Sequence, residues 1–518
     1  MECAVANDEY TPRLIDDLVA KNAEQAQRIQ SLQAQLDWFK RQLFGRKSEK
    51  RLVESPQQVE LAELFNGKPA EIAPEVPTEK ITYTRRKKQR GDNCATDEGL
   101  RFGPDVPVEI VEIAHPAMSR SEADEYEVID VEVTRKLAQR PGSYVVLEYR
   151  RVVAKHKPTQ TLSTAPLPTP VLDKCLADVS LLAGMLVDKF LYHLPLYRQH
   201  QRLAQAGIQL SRTSLTTWTR RAIELLRPIH DAQLHQILQS RVLAIDETPI
   251  KAGRQHKGKM RQGWLWPVYG EDDEIAFTYS ASRGTAHLKS LLANFEGVLL
   301  SDGYSAYDSF AKDKPEVVQA QCWTHARRYF VKAQAIEPQA VDEALAHIGA
   351  LYAVERTIAE KQLSGEAKRD HRIEHSLPLA EVFFAWCHRQ RQRIDLVNSN
   401  PLSKALMYVA NHQQQMRVFL TDPDVPIDTN HVERNLRAIP MGRKNWLFAW
   451  SEVGAEHVAI IQSLLVTCRL QGVNPYTYLV DVLQRVAQHP ARDVAELTPR
   501  LWKQRFAANP LRSVLERA

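Results

Sequence analysis

Residues 241–249 read Arg-Val-Leu-Ala-Ile-Asp-Glu-Thr-Pro, and this stretch decides the predicted fold. Four consecutive apolar residues, 242–245, are typical of a strand that is buried on both faces of a sheet. The run ends at Asp246, which places an acid where open α/β sheets bind their ligands. A second apolar run, 298–300, leads through a serine into Asp302. Two buried strands that each deliver one carboxylate indicate a metal site.

Composition is ordinary for a soluble globular protein, with 44% hydrophobic and 25% charged residues. A chain of 518 residues predicts three or four domains. We expect no membrane-spanning segment and no signal peptide, because no apolar run is long enough and the first residues are acidic. Six scattered cysteines without a Cys-x-x-Cys pair indicate neither a disulfide framework nor a zinc ribbon, and they favour the cytoplasm.

The N-terminal part predicts an assembly helix followed by a linker. Apolar residues recur in steps of three and four within 11–51, which predicts a coiled-coil dimerisation helix with Asn22 at an a position. An amphipathic helix packed on its own domain is the alternative. Residues 52–92 are rich in Pro and Glu and end in a cationic run, 85–90, so they predict a flexible basic linker. The run is either a solvated tail or a non-specific phosphate contact.

Two modules precede the acid-ended strand. Residues 93–156 alternate apolar and polar side chains and predict a small β-rich module. Residues 171–240 are helical in pattern, with a turn at Gly207 between two helices, and they resemble a helix-turn-helix. In the DNA-binding form of that motif the second helix enters the major groove. That interpretation makes Arg212, Arg220 and Arg221 candidate DNA contacts, although helical hairpins are also common in domains that bind nothing.

The order of predicted elements from residue 241 onward indicates an α/β fold of the ribonuclease-H-like class. Residues 241–336 read as three strands, a helix, a strand, a helix, a strand and a helix. A helical insertion is predicted at 337–426. The catalytic core then resumes at 427–470, and a C-terminal helical segment covers 471–518.

Glu433 is the candidate for a third acid. It lies on a predicted helix, one step from the apolar stripe, in the polar run Asn-His-Val-Glu-Arg at 430–434. An exposed pair with Arg437 at i, i+4 is the plain structural alternative. The density of polar residues around it favours a functional role.

Several motifs in this order resemble the DDE transposases of the insertion-sequence sixty-six family. The matching residues are Asp246-Glu247-Thr248, Ser301-Asp302-Gly303-Tyr304, Cys322-Trp323-Thr324-His325-Ala326-Arg327-Arg328, Asn430-His431-Val432-Glu433-Arg434, Arg443-Lys444-Asn445-Trp446-Leu447-Phe448 and Gly472-Val473-Asn474-Pro475-Tyr476-Thr477-Tyr478-Leu479. Each motif alone is weak, and their common order and spacing make the resemblance specific. With the predicted coiled coil it covers nearly the whole chain.

The resemblance implies two-metal phosphodiester chemistry. Two Mg²⁺ or Mn²⁺ ions about 3.5–4 Å apart would stabilise the attacking and leaving oxygens. Asp246 would bridge both ions, Asp302 would hold one and Glu433 the other. Water would free a 3′-hydroxyl at the element's end, and that hydroxyl would then attack target DNA. Glu247 is set aside as a ligand, because neighbouring residues on a strand face opposite ways.

The resemblance also implies partners. Further candidate DNA or phosphate contacts are His325, Arg327, Arg328, Arg443 and Lys444. The expected partners are DNA at the transposon ends and at the target, a second or further copy of the chain held through the coiled coil, and accessory proteins of the same element. A bacterial, nucleoid-associated location and no membrane partner are expected. Trp446 and Trp450 are interpreted as core residues rather than base-stacking ones.

One departure from the family concerns zinc. The module after the basic linker usually carries paired cysteines in this family, and here only Cys94 is present. Four ligands cannot be assembled, so no structural zinc is expected and the module is interpreted as a degenerate zinc-finger-like unit. Cys322 and His325 alone do not make a zinc site. Two rival functions remain: a nuclease of the same fold without strand transfer, and a non-catalytic DNA-binding relic.

Overall fold

The structure is a computed structural model that describes Gln25 and residues 100–104, 106–116, 125–140, 142–256, 258–446 and 449–516. Apart from Gln25, the predicted coiled coil at 11–51 and basic linker at 52–92 lie outside the described residues. The chain divides into two units, 1–91 with 333–339 and 92–332 with 340–518. The candidate functional residues described below belong to the second unit.

A four-stranded sheet forms the first described module. Its strands, together with the short strand that precedes them, are β1 (Arg101–Phe102), β2 (Val108–Ile113), β3 (Tyr126–Arg140), β4 (Ser143–His156) and β5 (Leu162–Thr164). The sheet has the order β2-β4-β3, and β5 pairs with β4. The long antiparallel hairpin of β3 and β4 dominates it. One face packs Val145, Leu147 and Tyr149 against Leu515 near the C-terminus.

Helices follow this sheet. They are α1 (Val179–Phe190), α2 (Leu196–Gln205) and α3 (Arg212–Ile237), with the two-residue strand β6 (Ile208–Gln209) between the last two. β6 pairs with β1 and thereby ties the turn between α2 and α3 to the first module. Ser211 caps α3 by accepting a hydrogen bond from the Ser214 amide. The turn and cap follow the predicted helix-turn-helix pattern, although α3 is 26 residues long.

The central sheet has six strands, β7 (Val242–Ile245), β8 (Thr248–His256), β9 (Lys259–Tyr269), β10 (Ile275–Ser280), β11 (Gly297–Ser301) and β12 (Val317–Gln321). Its order is β10-β9-β7-β11-β12, and β8 pairs with β9. β7, β11 and β12 are parallel neighbours, whereas β9 runs antiparallel to β7, β8 and β10. The protein is therefore a mixed α/β fold.

Burial explains why this sheet forms the core. All four residues of β7 are buried, and β11 pairs Val298 with Val242 and Leu300 with Ala244 in register. Trp266 on β9 is completely buried in the same apolar cluster. Continuous apolar runs are what a parallel strand needs when helices cover both of its faces.

Helices surround the sheet and fill the insertion. Between the strands lie α4 (Thr285–Leu291) and α5 (Ser305–Lys312), and after β12 comes α6 (Trp323–Val331). The insertion consists of α7 (Pro338–Glu360), α8 (Gly365–His371), α9 (Leu377–Arg391), α10 (Pro401–Asn411) and α11 (Val418–Thr421). The chain then forms α12 (Asn430–Leu436), α13 (Ala438–Trp446), α14 (Glu452–Leu470), α15 (Pro475–Arg485) and α16 (Pro499–Arg505).

Helix α14 is a core helix. Among the described residues it alone is long and apolar enough to cross a membrane by length and composition, and 72% of that window is buried inside the protein. It packs on β10 and α3, where the Ser463 hydroxyl accepts a hydrogen bond of 2.8 Å from the Phe277 amide. Burial in the protein core accounts for its apolar composition.

Two predicted elements differ from the structure. β8 was absent from the predicted strand order, because its distal half is polar and exposed and lacks an apolar alternation. The sequence pattern predicts a helix over 286–295, whereas α4 ends at Leu291 and a non-helical turn carries Phe295 into the core. Neither difference affects β7 and β11, the strands that end before Asp246 and Asp302.

Candidate functional site

Asp246 and Asp302 leave the sheet at the same edge. Each follows the last residue of its strand, and β7 and β11 are adjacent and parallel. The Asp246 carboxylate accepts a hydrogen bond of 2.7 Å from the Glu247 amide. The Asp302 carboxylate accepts one of 3.0 Å from the Tyr304 amide. The backbone thus orients one oxygen of each acid.

The electrostatics of this edge are those of several acids held close together. Burial, together with the charges of Glu247, Asp302 and Glu433, raises the pKa of Asp246 to about 8, against the opposing effect of the Glu247 amide. Burial also raises the pKa of Asp302, against the opposing effect of the Tyr304 amide. Buried carboxylates are costly to ionise without a counter-charge, so a bound cation would be favoured here.

Glu433 lies on α12 and faces α6. Its carboxylate forms an ion pair with Arg328, and one oxygen lies 3.6 Å from His325 Nε2. That oxygen, Oε1, is buried and accepts no hydrogen bond. Its partner is therefore not Arg437, whose amide only continues the helix by bonding to the Glu433 carbonyl. The exposed i, i+4 pair considered from the sequence does not form.

The three acids have the donor chemistry of a magnesium or manganese site. Carboxylate oxygens are the hard ligands that these ions prefer. Within the part of the chain that the structure describes, however, no three His, Cys, Asp or Glu side chains are close enough to hold one ion. The ion pair with Arg328 explains the position of Glu433. A buried oxygen without a donor is nevertheless what a metal ligand would offer.

Asp428 fixes the start of α12. Its carboxylate accepts hydrogen bonds of 3.0 Å from the Thr324 hydroxyl, 2.7 Å from the Tyr352 hydroxyl and 3.0 Å from the Asn430 amide. These bonds join α12 to α6 and to the insertion helix α7. Asp428 is thus a positioning residue for Glu433, and sequence reasoning missed it because its partners are far away along the chain.

Cys322 has a structural partner of its own. It is fully buried, and its sulfur accepts hydrogen bonds from the Thr429 amide at 3.3 Å and the Thr429 hydroxyl at 3.2 Å. Burial raises the pKa of the Cys322 thiol to about 11. A protonated thiol bound to Thr429 holds α6 beside α12 and is a poor metal ligand.

Glu247 belongs to a buried network next to the two aspartates. It accepts hydrogen bonds of 2.8 Å from Arg283 Nε and 2.6 Å from the Tyr307 hydroxyl. The Arg283 guanidinium in turn lies 3.8 Å from the centroid of the Tyr304 ring. Both carboxylate oxygens of Glu247 therefore accept hydrogen bonds, which is consistent with a structural role for this residue. Arg283 and Tyr307 carry no sequence signal that identifies them beforehand.

The predicted basic contacts of the core differ in availability. Arg443 is half-buried and donates to the Pro249 carbonyl on β8, so it holds α13 to the sheet instead of facing a phosphate. Arg327 and Lys444 are exposed. Arg328 and His325 line the acidic edge. Burial and the nearby Arg328 charge lower the pKa of His325.

Helix α3 presents an exposed polar stripe. Arg212, Thr216 and Arg220, spaced four residues apart, are all exposed and lie on one face. Arg221 points elsewhere and donates to the Asp173 carbonyl at 2.9 Å. The stripe contains two of the three arginines predicted in this region, Arg212 and Arg220.

The interpretation of Trp450 as a core residue is wrong. Its side chain is 70% exposed, on the segment that connects α13 to α14. Trp446, at the end of α13, is half-buried. The spacing of aromatic residues alone cannot distinguish a buried ring from one that the following turn carries to the surface.

Comparisons with known proteins identify the family. Residues 174–457, which include all three acids, match the family model described as Transposase IS66 family. Residues 463–500 match the IS66 C-terminal element, and residues 31–100 match a model described as Transposase C of IS166 homeodomain. These matches confirm the resemblance that the motifs predicted.

Relatives in Sinorhizobium fredii extend over most of the chain. The uncharacterized protein y4hP is 28% identical over 511 residues, which cover 93% of this chain and 90% of its own length. The uncharacterized protein y4jD is 31% identical over 356 residues, or 65% of this chain and 69% of its own length. With the transposase model matching more than half of its length, the chain belongs to the IS66 family of transposases.

Proposed function

We propose that the protein cleaves the ends of an insertion sequence and joins them to target DNA through metal-dependent phosphodiester transfer. One observation carries the proposal: Asp246 and Asp302 leave adjacent parallel strands at one edge, and the charge of Glu433 acts on Asp246 from α12. The strand order β10-β9-β7-β11-β12 supports a ribonuclease-H-like core. In this arrangement the central strand, its parallel neighbour and a later helix each contribute one acid.

The residues that would hold the ions are Asp246, Asp302 and Glu433. Two Mg²⁺ or Mn²⁺ ions bound there would neutralise charge on the attacking and leaving oxygens of an in-line displacement. The Glu247 amide orients the Asp246 carboxylate, and Asp428 orients the helix of Glu433. Glu433 must exchange Arg328 for the ion, and the released guanidinium would then be available to a DNA phosphate.

The chemistry has two balanced steps. In the first, water adds to a phosphorus at the element's end, and the bond to the 3′-oxygen breaks to leave a 3′-hydroxyl. In the second, that hydroxyl attacks a target phosphorus and displaces the target's own 3′-oxygen. In each step the attacking oxygen gives up one proton to the surrounding water, and the released 3′-oxygen takes one up.

Assembly and location belong to the same proposal. Joining two ends requires that two active sites act together, and a coiled coil within residues 11–51 would pair two chains. The protein would work on DNA in the bacterial cytoplasm, with accessory proteins of its element as further partners.

The test is a strand-transfer assay with the terminal inverted repeats of the element and a labelled target duplex. Wild-type protein should give joined products in Mg²⁺, and Asp246→Asn should lose them. Asp313→Asn, which removes an exposed acid paired only with Lys289, is the matched control and should keep them. Cleaved but unjoined ends would support a nuclease, and DNA binding without Mg²⁺-dependent products would contradict both enzymatic functions.

A further inference from the structure

A small cavity lies beside the exposed stripe of α3. It has a volume of about 240 Å³ and is enclosed by α1, α3, the end of α13 and the start of α14. The residues that matter for its chemistry are Lys189, Thr216, Arg220, Trp446 and Trp450. Drug-sized ligands occupy pockets of about 300–1,000 Å³. This cavity is therefore suited to one planar ring system rather than to a whole cofactor.

The backbone on both sides of the exposed Trp450 is anchored by hydrogen bonds. The Ala449 amide donates to the Lys251 carbonyl at 2.9 Å, and the Gly253 amide donates to the Ala449 carbonyl at 3.2 Å. On the other side, the Ser451 hydroxyl caps α14 by accepting from the Gly454 amide at 3.1 Å. An exposed aromatic ring on an anchored segment is a preorganised stacking surface.

Two cations line the cavity without a counter-charge. Neither Lys189 nor Arg220 forms a hydrogen bond or an ion pair within the described residues, and no acid is among the lining residues. The acids Glu224 and Glu456 lie beyond it and pair with Arg227. The Lys189 ammonium lies 5.1 Å from the centroid of the Phe190 ring, and burial lowers its pKa to about 8. No acid lines the cavity to balance this charge, so an anionic ligand would supply the counter-charge.

We infer that this cavity receives an unstacked base of a DNA strand, with Trp450 as the stacking surface and Lys189 and Arg220 against the flanking phosphates. The inference rests on the proposed action of this protein on DNA. The combination of an aromatic surface and adjacent cations is that of single-strand binding sites. Arg212, Thr216 and Arg220 continue from the cavity along α3, so a strand bound to that stripe passes its opening.

The energetic consequence is a preference for unpaired DNA. Extruding a base from a duplex costs a few kcal/mol, and a strand that is already unpaired avoids this cost. The protein should therefore bind a single strand, or an element end with a mismatched base, more tightly than the fully paired duplex of the same sequence.

The test measures binding of the full-length protein to a thymidine oligomer of about 16 nucleotides, in EDTA so that no chemistry takes place. Trp450→Ala should weaken binding roughly 5- to 100-fold, which is the range expected for one stacked base. Trp450→Phe should recover most of the affinity. Lys189→Gln should weaken binding and reduce the salt dependence by about one phosphate contact. Ile394→Ala, which removes a fully exposed apolar side chain in the insertion, is the control.

Two outcomes would overturn the inference. The first is an affinity for the oligomer that is unchanged in Trp450→Ala. The second is an affinity that falls in Lys189→Gln but in neither Trp450 variant, which would indicate a phosphate contact without a base pocket. Strand transfer by the wild-type protein, measured in parallel in Mg²⁺, separates this result from the proposed chemistry. If Trp450-dependent binding holds while no variant, including wild type, joins DNA, the cavity stands and the proposed function fails.

Discussion

Arg328 on α6 forms an ion pair with Glu433 on α12, which places a cation of the protein on the carboxylate proposed to bind a metal ion. The same guanidinium is close enough for the charge of Asp246 to act on it. Arg328 therefore occupies part of the acidic cluster in the free protein. Its side chain is 47% exposed, so it can withdraw into solvent without leaving a buried charge.

Replacing Arg328 with Gln should tighten metal binding. Partly exposed ion pairs contribute about 0.5–1 kcal/mol, so loss of the competing cation should lower the Kd for Mn²⁺ about two- to fivefold. Calorimetric titration of the DNA-free protein with Mn²⁺ measures this. Arg327→Gln removes an exposed arginine from the same helix and should leave the Kd unchanged. Weaker Mn²⁺ binding in Arg328→Gln would contradict the competition.

Two helical glycines should respond to alanine with opposite signs. A Cβ on Gly442 would lie 2.6 Å from Nε1 of Trp446 and 3.1 Å from Nδ1 of His193, so Gly442→Ala forces the indole or α13 to shift. We expect a loss of about 1–3 kcal/mol in unfolding free energy. A Cβ on Gly349, on α7, would meet no atom within 4 Å. Gly349→Ala should stabilise by about 0.5–1 kcal/mol.

Urea unfolding followed by circular dichroism gives both values. A gain in Gly442→Ala equal to the gain in Gly349→Ala would show that helix α13 has room around Gly442. The Gly442→Ala variant is also informative about the cavity, because Trp446 forms one of its walls.

The sequence predicted the acid-ended strands because they are local patterns. Four buried apolar residues followed by Asp246 need no knowledge of the rest of the chain, and the same holds for Asp302. The partners of these acids are not local. Arg328 lies 105 residues before Glu433, and Tyr307 lies 60 residues after Glu247. Only the sheet order and the packing of α12 on α6 bring these residues together.

Trp450 is a residue whose burial could not be predicted from the sequence. Aromatic residues are usually buried, which is why a core position was predicted, yet this ring, directly before the cap residue Ser451, is 70% exposed. The exposure follows from backbone pairing of Ala449 with β8, a strand that the sequence pattern does not indicate. The missed strand and the missed exposed ring thus have one cause.

The charge on Lys189 should destabilise the free protein below pH 8. Burial lowers its pKa from 10.5 in the unfolded chain to about 8 in the folded chain. Between these values the unfolded state binds more protons, so folding stability should rise with pH across this window. Lys189→Met should be more stable than wild type at pH 7, and the difference should shrink as the pH approaches 10.5. Urea midpoints measured from pH 7 to 10.5 test this; curves that stay parallel would contradict it.

Arg372 is the residue of the insertion whose loss should matter most for stability. It is completely buried, donates to Glu355 at 2.8 Å through both Nε and Nη2, and donates through Nη1 to the carbonyls of Phe419, Asp422 and Val425. Arg372→Met leaves this carboxylate and these carbonyls without their donor. Removing one partner of a buried ion pair costs about 3–5 kcal/mol. Thermal and urea unfolding should both show the loss.

The matched control is Arg369→Met, three residues earlier. Arg369 has a side chain that is 39% exposed and pairs only with the surface residues Asp370 and Glu366, so its loss should change stability by less than about 0.5 kcal/mol. The three carbonyls bound by Arg372 belong to the segment that leads into Asp428 and α12. Arg372→Met should therefore also reduce strand transfer at temperatures where the protein is still folded, whereas Arg369→Met should not. A stability loss without any loss of activity would show that α12 is held by Asp428 alone.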